Sequence, residues 1–207
     1  MANREYETQL MNLGCTTIVG TDEAGRGPIA GPLVVAAVVL PNDYVNVSIN
    51  DSKKLTDKKR RELYSEIIKV ALDYSVVIVS LEDIDRLNIY MASKEGMIRA
   101  INNLKINYDG ILTDAMPIKG YNCPILPLIK GDEKSISIAA ASILAKVTRD
   151  NIMLELDKKY PLYDFKNNKG YATKNHIKAL EKYGVCEEHR KTFEPIFSII
   201  KPKLDLT

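Results

Sequence analysis

Asp22 and Glu23 stand side by side at the end of an apolar run, and Gly25-Arg26-Gly27 follows at once. Paired carboxylates can hold a hard divalent cation in open coordination, glycines let backbone N–H groups come close to an anion, and an arginine can fork onto phosphate or sugar oxygens. A metal site beside a phosphate would be built this way. An Asp-Glu pair can also simply solvate a hairpin turn. Such a turn, however, needs neither two glycines around an arginine nor the Gly-Pro-Ile-Ala-Gly-Pro that runs on from Gly27. Further along, Asp114 closes Gly-Ile-Leu-Thr-Asp (110–114) and Asp132 closes Lys-Gly-Asp (130–132). The ends of neighbouring strands can bring such distant acids together. Several carboxylates without a histidine or cysteine cluster suit Mg²⁺ or Mn²⁺ rather than zinc. Two such ions about 4 Å apart can activate a water and stabilise the leaving oxygen of a phosphodiester, with no side-chain nucleophile. His176 and His189, the only histidines, are then expected away from the metal, in solvent or at a helix N-terminus.

These residues need elements to position them. The run before Asp22 predicts one strand, and Val34 to Leu40 predicts a second that closes a hairpin around the glycine loop. Thr56 is a candidate N-cap for a helix carrying Leu63, Tyr64, Ile67, Ile68 and Ala71. Tyr74 to Ser80 reads as a buried strand, Ser80 with Asp83 as a helix start, and Ile89 to Leu104 as a longer helix. Short strands are expected at 110–114 and within 123–129, then a helix from Ser135 to about Tyr160 with a small-residue face at Ala139-Ala-Ala-Ser142. Thr173 caps a further helix ending at Gly184, and the segment from Glu187 to about Ile200 is partly helical and broken at Pro195. A hairpin followed by strands alternating with helices predicts an α/β or α+β fold with a mixed central sheet.

Composition bounds the reading. With 207 residues, 45% of them hydrophobic, the chain can bury one sizeable core. We expect residues 1–160 to form the main domain and 161–207 a helical extension packed on it. A net charge of +2 neither demands nor excludes nucleic acid. Local charge says more: Lys53 to Arg61 packs six cations into nine residues, and Lys166, Lys169, Lys174 and Lys178 form a looser group. Each group can equally be a solvated helix face. Three scattered cysteines make neither a disulfide framework nor a zinc cluster, and no apolar leader or membrane-length stretch occurs. A cytoplasmic protein with free thiols is expected.

Six segments in order carry a resemblance. Asp-Glu-Ala-Gly-Arg-Gly (22–27), Asn-Asp-Ser-Lys-Lys-Leu (50–55), strand-terminal Asp114, Lys-Gly-Asp (130–132), Ala-Ala-Ala-Ser-Ile-Leu-Ala-Lys-Val (139–147) and Lys-Gly-Tyr-Ala-Thr (169–173) resemble the type 2 ribonucleases H, the bacterial ribonuclease HII family. The match runs from about Ile18 to Pro195. It implies a ribonuclease H-like mixed sheet flanked by helices. The implied activity is endonucleolytic cleavage of the RNA strand of RNA–DNA hybrids and of single ribonucleotides in duplex DNA, leaving 3′-hydroxyl and 5′-phosphate ends. Two divalent ions, Mg²⁺ or Mn²⁺, are implied on Asp22, Glu23, Asp114 and Asp132. The family often has glycine after its strand-terminal aspartate, and here Ala115 stands there.

The 2′-hydroxyl separates RNA from DNA at one nucleotide. The resemblance implies that Gly25, Arg26, Gly27 and Tyr171 sense the junction between a ribonucleotide and the deoxyribonucleotide that follows. A partly buried aromatic would satisfy the sequence at Tyr171 equally well. Lys53, Lys54, Lys146, Lys169 and Lys174 are candidate phosphate contacts, with Lys53 and Lys146 favoured by their motifs, and Ser142 is a further candidate. Asp150, four residues after Lys146, predicts a surface ion pair worth a few tenths of a kcal/mol, with a direct metal role as the alternative. The chain is expected to act as a monomer on hybrid and ribonucleotide-containing duplexes. A binder that kept the scaffold, or another two-metal nuclease or resolvase, are the rival readings. The first would need a damaged acid set, and the second leaves Gly25-Arg26-Gly27 and Tyr171 without a task.

Overall fold

The computed structural model describes residues 2–46, 48–49 and 55–201. In chain order these form α1 (Glu5–Asn12), β1 (Ile18–Ala24), β2 (Leu33–Val39), α2 (Asp57–Val70), β3 (Asp73–Val79), α3 (Leu81–Leu87) and α4 (Ile89–Asn102). There follow β4 (Gly110–Asp114), β5 (Ile125–Leu128), α5 (Ile136–Lys159), α6 (Phe165–Asn168), α7 (Lys174–Tyr183) and α8 (Ile196–Ile200). The sheet order is β3-β2-β1-β4-β5. The β1-β2 and β2-β3 pairs are antiparallel, while β4 runs parallel to both β1 and β5. The result is the expected mixed sheet flanked by helices.

β2 is apolar throughout because both of its faces are covered. Val34, Ala36 and Val38 pack with Ala140, Ile143 and Leu144 of α5 and with Leu63 and Ile67 of α2. Val35, Ala37 and Val39, one residue out of phase, pack with Met97, Ala100 and Ile101 of α4. The small-residue face of α5 lies against β1 because Gly20 admits it: a Cβ on Gly20 would fall 2.2 Å from the carbonyl carbon of Ser137. That close approach brings Ser142 to the strand that carries Asp22. A third cluster joins Ile29, Ala30 and Met153 to Tyr163, Phe165, Leu180 and Ile196, and so seats the C-terminal helices beside the glycine loop.

The predicted caps are present, the side chains of Thr56, Ser80 and Thr173 accepting from the Lys59, Asp83 and His176 backbone N–H groups, and Ser135 likewise accepts from Ile138 at the start of α5. One expectation changes and one helix is new. The strand over 74–80 is the sheet edge rather than a buried strand, with Tyr74 and Ile78 exposed by 39% and 54%. Its apolar run reports only one covered face. Helix α1 lacked a sequence signal, since among its residues only Glu7 and Leu10 are buried.

Candidate active site

The sheet topology gathers the acids. Thr21 pairs with Thr113 across the parallel β1-β4 ladder, so Asp22 and Asp114 come next on adjacent strands at their carboxyl ends. Asp114 in turn pairs with Leu128 of β5, after which a 3-10 turn, Gly131–Glu133, carries Asp132. The Gly131 N–H donates to Asp114 Oδ1 at 2.7 Å and ties that turn to β4. Asp22 is buried, and its Oδ1 accepts the Glu23 N–H at 2.7 Å. Burial, and then the carboxylates of Glu23, Asp114 and Asp132, push the Asp22 carboxyl well above its usual range, opposed by a hydrogen bond from Ser142.

Asp22, Glu23 and Asp114 line an open cavity of about 510 Å³ together with Gly25, Arg26, Gly27, Ser142, Lys146 and Tyr171. Asp132 is buried, close enough to act on Asp22 electrostatically, but it does not line the cavity. Among the described residues no three His, Cys, Asp or Glu side chains are gathered tightly enough to grip one ion, so the acids form an open cluster rather than a closed shell. The donors are all carboxylate oxygens, the set a hard divalent cation takes, and a cation among them would reverse the repulsion that raises Asp22.

The glycine loop lines the same cavity. Gly25 has φ +105°, and a Cβ there would meet Arg149 Nε at 2.2 Å and the Pro32 carbonyl oxygen at 2.9 Å. Gly27 faces Tyr171, whose Cε1 would lie 3.5 Å from a Cβ at that position. Tyr171 is 46% exposed and presents its ring to the cavity rather than to the core. Arg26 leans on Glu23, with Nη1 at 3.4 Å from Oε1.

Other predicted contacts divide. Lys146 reaches the cavity rim, but its pair with Asp150, 2.7 Å long, is no ordinary surface pair: the Asp150 side chain is 4% exposed and also faces Arg60 at 3.7 Å. Two cations share one buried carboxylate beside the cavity. Lys169 turns back to donate to the Lys166 carbonyl, and neither it nor Lys174 lines the cavity. Lys53 and Lys54, with most of the 50–55 motif, lie outside the described residues. His176 stands in the first turn of α7, the helix N-terminus expected, but neither histidine is in solvent: His176 and His189 are 0% and 2% exposed, with Nε2 atoms 3.0 Å apart.

Three arginines had not been singled out. Arg149 donates to the carbonyls of Pro32, Lys169 and Ala30, and Arg190 to those of Gly25, Arg26 and Gly31. Arg60 donates to the Leu55 carbonyl and lines the cavity. Arg60 did carry a signal. It stands three and seven residues before Leu63 and Ile67, on the apolar stripe of α2, where a solvated cation does not belong. Arg149 follows Ser142 and Lys146 at helical spacing. Nothing local marks Arg190, which acts on residues more than 150 positions earlier in the chain.

Known proteins match this arrangement. The family model described as Ribonuclease HII covers residues 19–198. A ribonuclease HII of Bacillus anthracis is 52% identical over 197 residues, spanning 95% of this chain and 76% of the relative. Among solved structures, ribonuclease H2 from Pyrococcus horikoshii OT3 superposes with a TM-score of 0.77 at 29% identity, covering 89% of this chain and 97% of the other. The PCNA:RNase HII complex from Archaeoglobus fulgidus gives 0.73 at 28% identity, covering 86% and 96%. With acids at the ends of parallel strands in a cavity that glycines also line, and half of its residues shared with a curated relative, the chain belongs to the ribonuclease HII family of metal-dependent endonucleases that cut RNA in RNA–DNA hybrids.

Proposed function

We propose that this cavity cuts on the 5′ side of a ribonucleotide, including a single one embedded in duplex DNA, and leaves 3′-hydroxyl and 5′-phosphate ends. The observation that supports it most is that Asp22, Glu23 and Asp114 line one cavity together with Gly25–Gly27 and Tyr171. Asp22, Glu23, Asp114 and the buried Asp132 would hold two divalent ions, Mg²⁺ or Mn²⁺. Bound there, such ions supply an activated water and stabilise the leaving oxygen. The chain's own residues select and place the substrate. Backbone groups of Gly25, Arg26 and Gly27 take the ribose 2′-hydroxyl. The Tyr171 ring stacks on the following deoxyribose, where a second 2′-hydroxyl would crowd it. Lys146 and Ser142 position the phosphodiester, and Lys53 contributes from outside the described residues. Arg60 holds Asp150 so that Lys146 stays at the rim. Residues 161–207 serve as an extension that carries Tyr171 to the catalytic sheet, and one chain suffices.

The test is a labelled DNA duplex with one ribonucleotide, incubated with Mg²⁺, with Mn²⁺ and with chelator, beside the same duplex in all-DNA form. A metal-dependent cut 5′ of the ribonucleotide, absent from the control, is expected. Equal cutting of the control would assign the site to a general two-metal nuclease, and no cut with either ion would leave a hybrid-only enzyme.

A further inference from the structure

The buried histidines are unused by the chemistry above, yet they end on Tyr171. The Tyr171 carbonyl oxygen lies 2.8 Å from His176 Nδ1 and also accepts the Thr173 N–H at 2.8 Å. A carbonyl only accepts, so the His176 proton belongs on Nδ1. His176 Nε2 is then an acceptor, and His189 Nε2, 3.0 Å away, must donate to it. That leaves His189 Nδ1 without a proton, facing the Cys186 N–H at 3.0 Å and the Cys186 thiol at 3.2 Å, both of which can donate. The Cys186 carbonyl, also 3.2 Å from Nδ1, is satisfied instead by the His189 backbone N–H at 3.1 Å. One direction of donation runs through the whole chain, from Cys186 through both rings to Tyr171. The opposite direction would set two acceptors against each other at Tyr171.

The rings are held for this task. Tyr163 and Phe165 pack around them, with the Tyr163 ring 5.0 Å from His189 and the Phe165 ring 5.5 Å from His176. The far end of the relay is tied to the glycine wall. His189 bridges to Ala30, and its neighbour Arg190 grips the carbonyls of Gly25, Arg26 and Gly31. The backbone beside Tyr171 closes the circuit, since the Gly170 carbonyl accepts the Ile29 N–H at 2.8 Å.

The geometry points to His176 and His189 as positioning residues that hold Tyr171 in register with Gly25–Gly27 through a one-directional, neutral imidazole relay. Neither touches the substrate. Both act through the tyrosine backbone and so set junction recognition rather than phosphodiester chemistry. The inference rests on the reading of Tyr171 given above.

Its test compares kcat/KM on a single-ribonucleotide duplex with kcat/KM on a continuous RNA–DNA hybrid, for His176→Leu, His176→Asn and Tyr171→Ala, singly and combined. His176→Leu removes the donor to Tyr171 and should lower the junction-to-hybrid ratio by about fivefold, the worth of one lost hydrogen bond. His176→Asn keeps an amide donor near the Nδ1 position and should retain more of the ratio; it also carries the test if the leucine variant does not fold. Added to Tyr171→Ala, neither change should lower the ratio further. An equal fall on both substrates, or an undiminished further fall in the Tyr171→Ala background, would overturn the relay. A Tyr171→Ala enzyme with an unchanged ratio would instead overturn the role given to Tyr171.

Discussion

Asp22, Asp114 and Asp132 owe their places to adjacent strands of one sheet, whereas the glycine loop and Tyr171 are held by side chains reaching in from α5, from His176 and from Arg190. The acid wall has a rigid frame and carries repulsion: a buried aspartate among like charges is unfavourable until a cation joins it. The loop wall has no ladder of its own. Buried guanidinium groups satisfy its carbonyls and take the place of a strand partner. The acids are thus mounted on paired strands, and the glycine loop on backbone whose shape depends on remote residues. Damage to the two walls should read out differently.

The largest effect is expected at the acid wall. Asp22→Asn should lower kcat by at least about a thousandfold while leaving duplex affinity nearly unchanged, checked by single-turnover cleavage beside equilibrium binding. In chelator the same variant should melt higher than the parent, because one buried like charge is gone. A lower melting temperature would contradict the repulsive account. At the loop wall, Arg190→Met should cost about 3 kcal/mol in urea unfolding, since several buried carbonyls lose a charged donor. An unchanged urea midpoint would show that the loop holds its shape unaided.

Acid should expose the histidine relay next. Burial, with His176 alongside, lowers His189 from the ordinary 6.5 to about 4, and burial lowers His176 as well. The unfolded chain therefore binds protons near pH 6.5 that the folded chain refuses until about pH 4. Stability is fully present above pH 6.5 and falls as pH drops toward 4, by on the order of 2 kcal/mol at pH 5. Asp22, raised in the fold, works in the opposite sense. The contribution is therefore the difference in pH slope between the parent and a His189→Gln variant, which should be shallower. Tyr171→Ala should lower junction cleavage by about tenfold, the size of one lost stacking contact, and hybrid cleavage less. The smallest effect belongs to Ala115, which sits at φ +51° just past Asp114. Ala115→Gly should relieve this left-handed backbone and raise stability by about 0.5 kcal/mol, measured as a small shift in denaturation midpoint with activity retained.

Much of this was legible in the chain. The β1-β2 hairpin, the caps of α2, α3, α5 and α7, and strand-terminal Asp22 and Asp114 follow from apolar period and from Ser or Thr at helix starts. The small face of α5 was visible too, although its reason, the approach to Gly20, was not. Misplacements came where residue type does not reveal surroundings. Asp150 was expected in solvent because Lys146 stands four residues before it; Arg60, from another helix, helps enclose it. The two histidines were expected away from the metal, in solvent or at a helix N-terminus; only the second holds, for His176, and a polar ring is buried when both of its nitrogens find partners. Here those partners are Tyr171, Cys186 and each other.

The amino-acid sequence by itself determined most of the strands and longer helices, α1 excepted, where those helices begin, and which carboxylates and glycines could do chemistry, because periodicity, capping and backbone freedom are local properties. Only the tertiary structure decided that Asp132 stands behind the cavity wall, that Arg149 and Arg190 shape the glycine loop, and that a histidine pair ends on Tyr171. A buried arginine and a solvated one are the same residue type. What separates them is the set of carbonyls that distant parts of the chain bring within reach.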